Sequence, residues 1–140
     1  MPKKSAHELY IDRNNRNLEQ RLRYKYSVMK AHAAERGIAW SLTFEDVLAM
    51  WKRQNGKCGY TNQRMTITIG RGLLWRNWSV SIDRLDPSKP YSKDNVVLCR
   101  FDANSRKAKR NFFDVEFMET FPDHVANVLR LKPNLNQLAA

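Results

Sequence analysis

Two side chains have types and positions that could do chemistry together: a carboxylate closing an apolar strand and an amide on the helix that follows. Asp83 ends the run Val80-Ser81-Ile82, where the chain leaves for a proline-bearing loop. Further on, Phe101, Asn104 and Ala108 stand three and then four residues apart, on one helical stripe. With Phe101 and Ala108 turned toward the strands, the Asn104 amide faces protein, where an unpaired polar group is costly. It needs a partner, and either a backbone carbonyl or a metal ion would serve. Asp83 by itself is either a turn-forming residue or an oxygen ligand for a hard cation. A hairpin packed on the following helix would bring the two together. One carboxylate and one amide oxygen, completed by waters and a substrate phosphate, suit Mg²⁺.

The charges around these residues fit a phosphate. Arg106, Lys109 and Arg110 share one face of the helix, and Arg100 and Lys107 share another. Any one of them could equally belong to a solvated basic face. The whole chain of 140 residues carries a net charge of +11, an excess that attracts a polyanion, with nucleic acid the first candidate. Hydrophobic residues make up 42%, enough for a packed core, so a folded chain is expected in spite of a negative mean hydropathy. No apolar run reaches membrane-spanning length and no signal core follows the basic start, so the expectation is a cytoplasmic protein without a membrane partner. Two cysteines, Cys58 and Cys99, are too few for a disulfide scaffold or a four-cysteine zinc knuckle. Either reads as a plain buried thiol.

The elements that must position the site can be read from periodicity and punctuation. From about Ser5 to Arg36 there is neither Pro nor Gly; Ser5 with Glu8 forms a capping box, Gly37 is a stop, and Leu18, Leu22, Tyr26 and Met29 recur at helical spacing. This long basic helix is either a solvated amphipathic helix or an arm that lies on DNA or pairs with a second subunit as a homodimer. A second helix starts after Thr43, with Asp46 three residues on, and stops at Gly56; Cys58 to Asn62 is turn chemistry. Met65 to Ile69 and Trp78 to Ile82 alternate as strands, and Val96 to Leu98 is a short buried strand. Asp86-Pro87-Ser88-Lys89-Pro90 must be loop. Cys99 to Arg110 favours helix, Asp114 caps another, Pro122 opens a last one ending near Leu131, and Pro133 to Ala140 reads as a loose tail. The expected architecture is α+β in a single domain over 1–140. Helices over 5–56 precede a strand-loop-strand-helix core over 57–110, and helices over 111–132 follow.

In order and spacing, three stretches resemble phage-type HNH (ββα-metal) endonucleases: Cys58-Gly59-Tyr60-Thr61, the run from Ser81-Ile82-Asp83-Arg84-Leu85-Asp86-Pro87 through Tyr91 to Asn95-Val96-Val97, and Asn104-Ser105-Arg106-Lys107. The resemblance implies a ββα-metal motif flanked by helices, with Asp83 and Asn104 as ligands of Mg²⁺ or Mn²⁺. It implies that Asn95 braces the loop by bonding backbone. It also implies hydrolysis of double-stranded DNA to a 5′-phosphate and a 3′-hydroxyl.

The chain departs from that pattern at Arg84, where most of the superfamily has a His that activates water. A guanidinium stays charged and is unsuited to act as a general base. It can bind phosphate bidentately and stabilise the transition state. Bulk water, a phosphate oxygen or Tyr91 is then left to take the proton, although Tyr91 beside Pro90 also reads as a core ring. His7, His32 and His124 lie outside the motif and receive no catalytic role. Pro90 and Asn62 stand where relatives have Gly. The zinc-binding cysteine pairs of many HNH proteins are missing, so packing that includes Trp40, Trp51, Trp75 and Trp78 is expected to hold the fold without structural zinc. The leading expectation is a metal-dependent DNA endonuclease acting in the cytoplasm (the host's, for a phage-encoded protein). The alternative is a non-catalytic DNA-binding protein on the same fold. An RNA-binding accessory protein ranks last, because the RRM and KH signatures are absent.

Overall fold

The computed structural model describes residues 3–6, 17–67 and 77–135. Over these residues the chain is α+β, with five α-helices and one two-stranded antiparallel sheet. The order is α1 (Leu18–Glu35), α2 (Phe44–Arg53), β1 (Val80–Arg84), a 3₁₀ turn (Lys93–Asn95), β2 (Val96–Arg100), α3 (Phe101–Lys107), α4 (Val115–Thr120) and α5 (Pro122–Leu131). None of the described helices is long and apolar enough to cross a membrane.

α1 buries Leu22 and Ala33, with Tyr26 and Met29 partly covered on the same stripe. It ends where Gly37 takes φ 69°, and the Ile38 and Gly37 amides return to the Ala33 and Ala34 carbonyls at 2.9 and 3.0 Å. The Ser5 capping box rests on Glu8, which lies outside the described residues. α2 starts as its sequence requires. The Thr43 hydroxyl accepts from the Asp46 amide at 3.1 Å, and the Asp46 carboxylate accepts from the Thr43 amide at 2.9 Å. That backbone bond, with the hydroxyl and Lys93 adding to it, holds the Asp46 carboxyl below its ordinary pKa. The left-handed turn after α2 falls on Asn55 (φ 55°) as well as on Gly56 (φ 68°).

β1 pairs with β2 from Val80↔Arg100 to Arg84↔Val96, so Ser81, Asp83, Val97 and Cys99 share one face. α3 packs on both strands, while α1 packs on β1 and α2 on β2. Buried residues fill the hairpin on both sides, which explains the nearly continuous apolar run of β2.

Several boundaries differ from the sequence reading. Asn77 and Trp78 are helical, and strand pairing starts after them, where the Thr66 amide donates to the Trp78 carbonyl (2.9 Å) and the Val80 amide to the Thr66 carbonyl (2.8 Å). The Met65 segment contributes a single bridge, Thr66↔Ser79, and positions 68–76, with Trp75, lie outside the described residues. α3 ends at Lys107, three residues early, with Ala108 at φ 52°. The chain must turn there, since the Phe112 amide returns to the Leu85 carbonyl at 2.8 Å and the Phe112 ring is buried. Ala108 is therefore exposed and does not face the hairpin; Ala103 does the packing. Leu135, expected in a loose tail, is 2% exposed. Trp40 and Trp51 pack against the core while Trp78 is exposed at 42%, and a further aromatic cluster joins Tyr60, Phe112, Phe117 and Phe121.

Candidate functional site

Asp83 lies on the face of the sheet that α3 covers, and Asn104 on α3 bonds the two strand residues that precede it. The Asn104 Nδ2 donates to Ser81 Oγ at 2.9 Å and to the Ile82 carbonyl at 3.4 Å, next to Asp83 on the strand. Strand alternation puts Ser81 and Asp83 on one side, and helical spacing puts Asn104 and Lys107 on one stripe. The two stripes match: Asn104 lies on Ser81, and Lys107 lies on Asp83 with Nζ 2.9 Å from Oδ2.

Asp83 is 7% exposed, and its carboxylate holds two partners on that one oxygen, the Lys107 ammonium and the Tyr60 hydroxyl, which donates to it. Burial pushes the Asp83 pKa up from its ordinary value, while Lys107, the Tyr60 hydrogen bond and Arg84 pull the other way. Burial first and the Asp83 charge second push the Tyr60 hydroxyl well above its ordinary value, and the same two causes raise the Cys99 thiol. Among the described residues, no hydrogen bond reaches Asp83 Oδ1 or Asn104 Oδ1. These are the two oxygens with which the site could hold a cation. No group of three or more His, Cys, Asp or Glu among the described residues could hold a metal ion. A cation here would thus rest on one carboxylate, one amide and non-protein ligands, a donor set that fits Mg²⁺ or Mn²⁺ and suits Zn²⁺ poorly.

Asn95 ties the connecting loop to the sheet. It is 6% exposed, accepts from the Asp86 amide at 3.0 Å, and donates to the Asp86 and Pro90 carbonyls, each at 3.0 Å. Three backbone partners for one buried amide explain why this position takes Asn. Arg84 leaves β1 on the side opposite Asp83. Its Nη1 donates to the Pro87 and Lys89 carbonyls at 2.6 and 3.2 Å, and its guanidinium lies 5.2 Å from the Tyr91 ring centre. One nitrogen is thereby committed to bracing the loop, and the Nε–Nη2 edge is what remains for a phosphate. Tyr91 is a packing ring: it is 8% exposed, lies 5.1 Å from Trp40, and is bonded through its backbone to Ala39 and Ser41.

The expected phosphate contacts divide. Arg106, Lys109 and Arg110 are exposed. Lys107 is corrected: at 1% exposure, with Nζ on Asp83, on the Arg84 carbonyl (2.9 Å) and on the Arg110 carbonyl (2.7 Å), it cannot reach a phosphate. Arg100, unlike Arg106, Lys109 and Arg110, is engaged within the protein. Its guanidinium is bound by Asp102 at 2.7 and 3.2 Å and by Gln63 at 3.0 Å, and it lies over Trp78, because the start of α3 folds it back along the protein.

Sequence reasoning missed Tyr60 and Lys107 as partners of Asp83 and Ser81 as a partner of Asn104. Ser81 and Lys107 were reachable, two residues before Asp83 on a strand and three after Asn104 on a helix. Tyr60 was not, since only the tertiary fold carries it there. Its loop is held by Cys58, whose Sγ accepts from the Arg100 amide at 3.3 Å and the Thr61 amide at 3.4 Å. Asn62 takes φ 59°, and Gly59 is pressed so close to β2 that a Cβ would come 2.1 Å from Val97 Cγ2. No family model matches this chain, and no curated protein matches it.

Proposed function

We propose that this protein is a metal-dependent DNA endonuclease with an HNH-type ββα-metal site. The observation that supports the reading is that α3 lies on β1 with Asn104 bonded to Ser81 and the Ile82 carbonyl and Lys107 bonded to Asp83, each of Asp83 and Asn104 keeping one oxygen without a hydrogen bond among the described residues. Asp83 and Asn104 would hold Mg²⁺ or Mn²⁺. When bound, such an ion polarises the phosphodiester and neutralises charge on the departing 3′-oxygen. The chain's own residues supply position and field. Ser81 orients the Asn104 amide, Lys107 and Tyr60 fix the Asp83 carboxylate, and Asn95 and Arg84 keep the loop in place. Arg106, Lys109 and Arg110 offer exposed cations to the backbone of double-stranded DNA. No described His stands at the water-activating position, and a solvent water or a substrate phosphate oxygen is left to take the proton.

Supercoiled plasmid incubated with Mg²⁺ or Mn²⁺ should become relaxed or linear, and EDTA should stop it. Asp83→Ala and Asn104→Ala should each lower the rate by roughly 10²-fold or more, the scale of losing one electrostatic stabiliser at a reacting phosphate. Unchanged cutting by either folded variant refutes the site. The exposed cations also support a second reading, a DNA-binding protein without turnover. Duplex binding with no product under any divalent metal would establish it.

A further inference from the structure

We infer that Lys107 is a resident cation which occupies half of the Asp83 carboxylate and sets a low affinity for a divalent ion in the DNA-free protein. The inference rests on the reading of Asp83 and Asn104 as the metal-holding pair. Three features show that the ammonium is built in and is not a flexible arm that happens to touch an acid. It is 1% exposed. Its three N–H donors meet three oxygens, those of Asp83, Arg84 and Arg110, at 2.9, 2.9 and 2.7 Å. The third oxygen exists only because α3 stops at Lys107 and Ala108 takes φ 52°, which brings the Arg110 carbonyl back over the ammonium. The fold therefore spends a strained turn on completing a lysine pocket.

The consequence for the carboxylate is direct. With Oδ2 taken by Lys107 and Tyr60, Asp83 can offer an incoming ion only Oδ1, so bidentate binding is closed. The fixed positive charge also repels any second cation in a buried setting, where screening by solvent is weak. Lys107 is thus a positioning residue acting through Asp83. A purely structural lysine makes the opposite prediction, because loosening the site by removing it would weaken metal binding.

Mn²⁺ binding to the DNA-free protein, followed by electron paramagnetic resonance at pH 8.5 so that a proton does not take the ion's place, separates these. Lys107→Met keeps the aliphatic stem and removes the charge. It should bind Mn²⁺ at least about tenfold tighter than wild type, given the strength of charge–charge repulsion at buried distances. Its melting temperature should also rise with Mn²⁺ more than that of wild type. Tyr60→Phe, which frees the same oxygen of an uncharged partner, should gain roughly threefold, the worth of a weak net hydrogen bond. Asp83→Asn should remove the binding. Equal or weaker binding by Lys107→Met, with Asp83→Asn still abolishing binding and nicking, overturns the role of Lys107 and leaves the metal site standing. Binding and nicking that both survive Asp83→Asn overturn the metal site, and the role of Lys107 with it. Should Lys107→Met fail to fold even with Mn²⁺, Tyr60→Phe decides: a gain supports the inference and no gain overturns it.

Discussion

Lys107 and Arg106 are neighbours on α3 with the same formal charge, yet one is sealed among three oxygens and the other stands in water. The same helix thus has a buried side, where Asn104 and Lys107 lock onto β1, and an exposed ridge of Arg106 with Lys109 and Arg110 beyond its end. The difference teaches that cation density cannot assign roles. The angular position of each residue on the helix does, together with whether the opposing strand offers an acid. A buried ammonium beside a buried carboxylate holds the site together, while an exposed cation can only act on something that arrives.

That contrast can be broken most severely through stability. Lys107→Ala leaves the Asp83 charge buried without its counter-ion and should cost about 3–5 kcal/mol in denaturant unfolding. Arg106→Ala should stay within about 0.5 kcal/mol. Equal costs would erase the distinction between the two sides of the helix.

A smaller effect is expected at Asn95. Asn95→Ala strips three hydrogen bonds from the loop that launches β2 and should destabilise by about 1–3 kcal/mol. A cost near zero would mean that the Arg84 contacts hold the loop by themselves.

Duplex binding sharpens the same comparison at the exposed side. Arg106→Ala and Lys109→Ala should each reduce the slope of log affinity against log salt by about 1, and Lys107→Met should leave that slope unchanged. A reduced slope for Lys107→Met would mean that its ammonium reaches phosphate after all.

The smallest expected effect concerns His124, half-buried between Tyr60 and Phe121, with its Nε2 buried and without a hydrogen-bond partner among the described residues. Burial first and Arg106 second hold its pKa below the ordinary 6.5. A depressed pKa means that the unfolded chain binds the proton more readily. The contribution of the neutral ring is therefore complete above 6.5 and is lost as pH falls from there through the folded value. Melting temperatures of wild type should drop slightly more between pH 7 and pH 5 than those of His124→Phe. Parallel curves would show that the ring is solvated.

The α2 boundaries were legible because they are local. Thr43 and Asp46 cap a helix whatever lies beyond, and a residue tolerant of positive φ after Arg53 ends it. The loop between Asp86 and Pro90 was equally legible, since two prolines withdraw two donors. The end of α3 was not. Its residues favour helix through Arg110, and it stops at Lys107 because Phe112 is drawn to Leu85 and the Arg110 carbonyl to an ammonium. Trp78 likewise has strand character but is helical, and pairing begins only after it, at the Ser79 bridge to Thr66.

For the candidate site, the sequence singled out Asp83 and Asn104 as candidates, and it was the resemblance in motif order, not the spacing by itself, that paired them as ligands. Period-two and period-3.6 spacing place them at the end of a strand and on the next helix, and such spacing is a property of covalent geometry. Only the tertiary structure decided that Lys107 and Tyr60 share the Asp83 carboxylate, that Arg84 turns to the loop, and that Arg100 is spent on Asp102. The physical reason is that a charged group takes its partner from whatever folding leaves within about 4 Å, where the interaction is strong. That distance is set by chain segments far apart in sequence, and no local pattern records it.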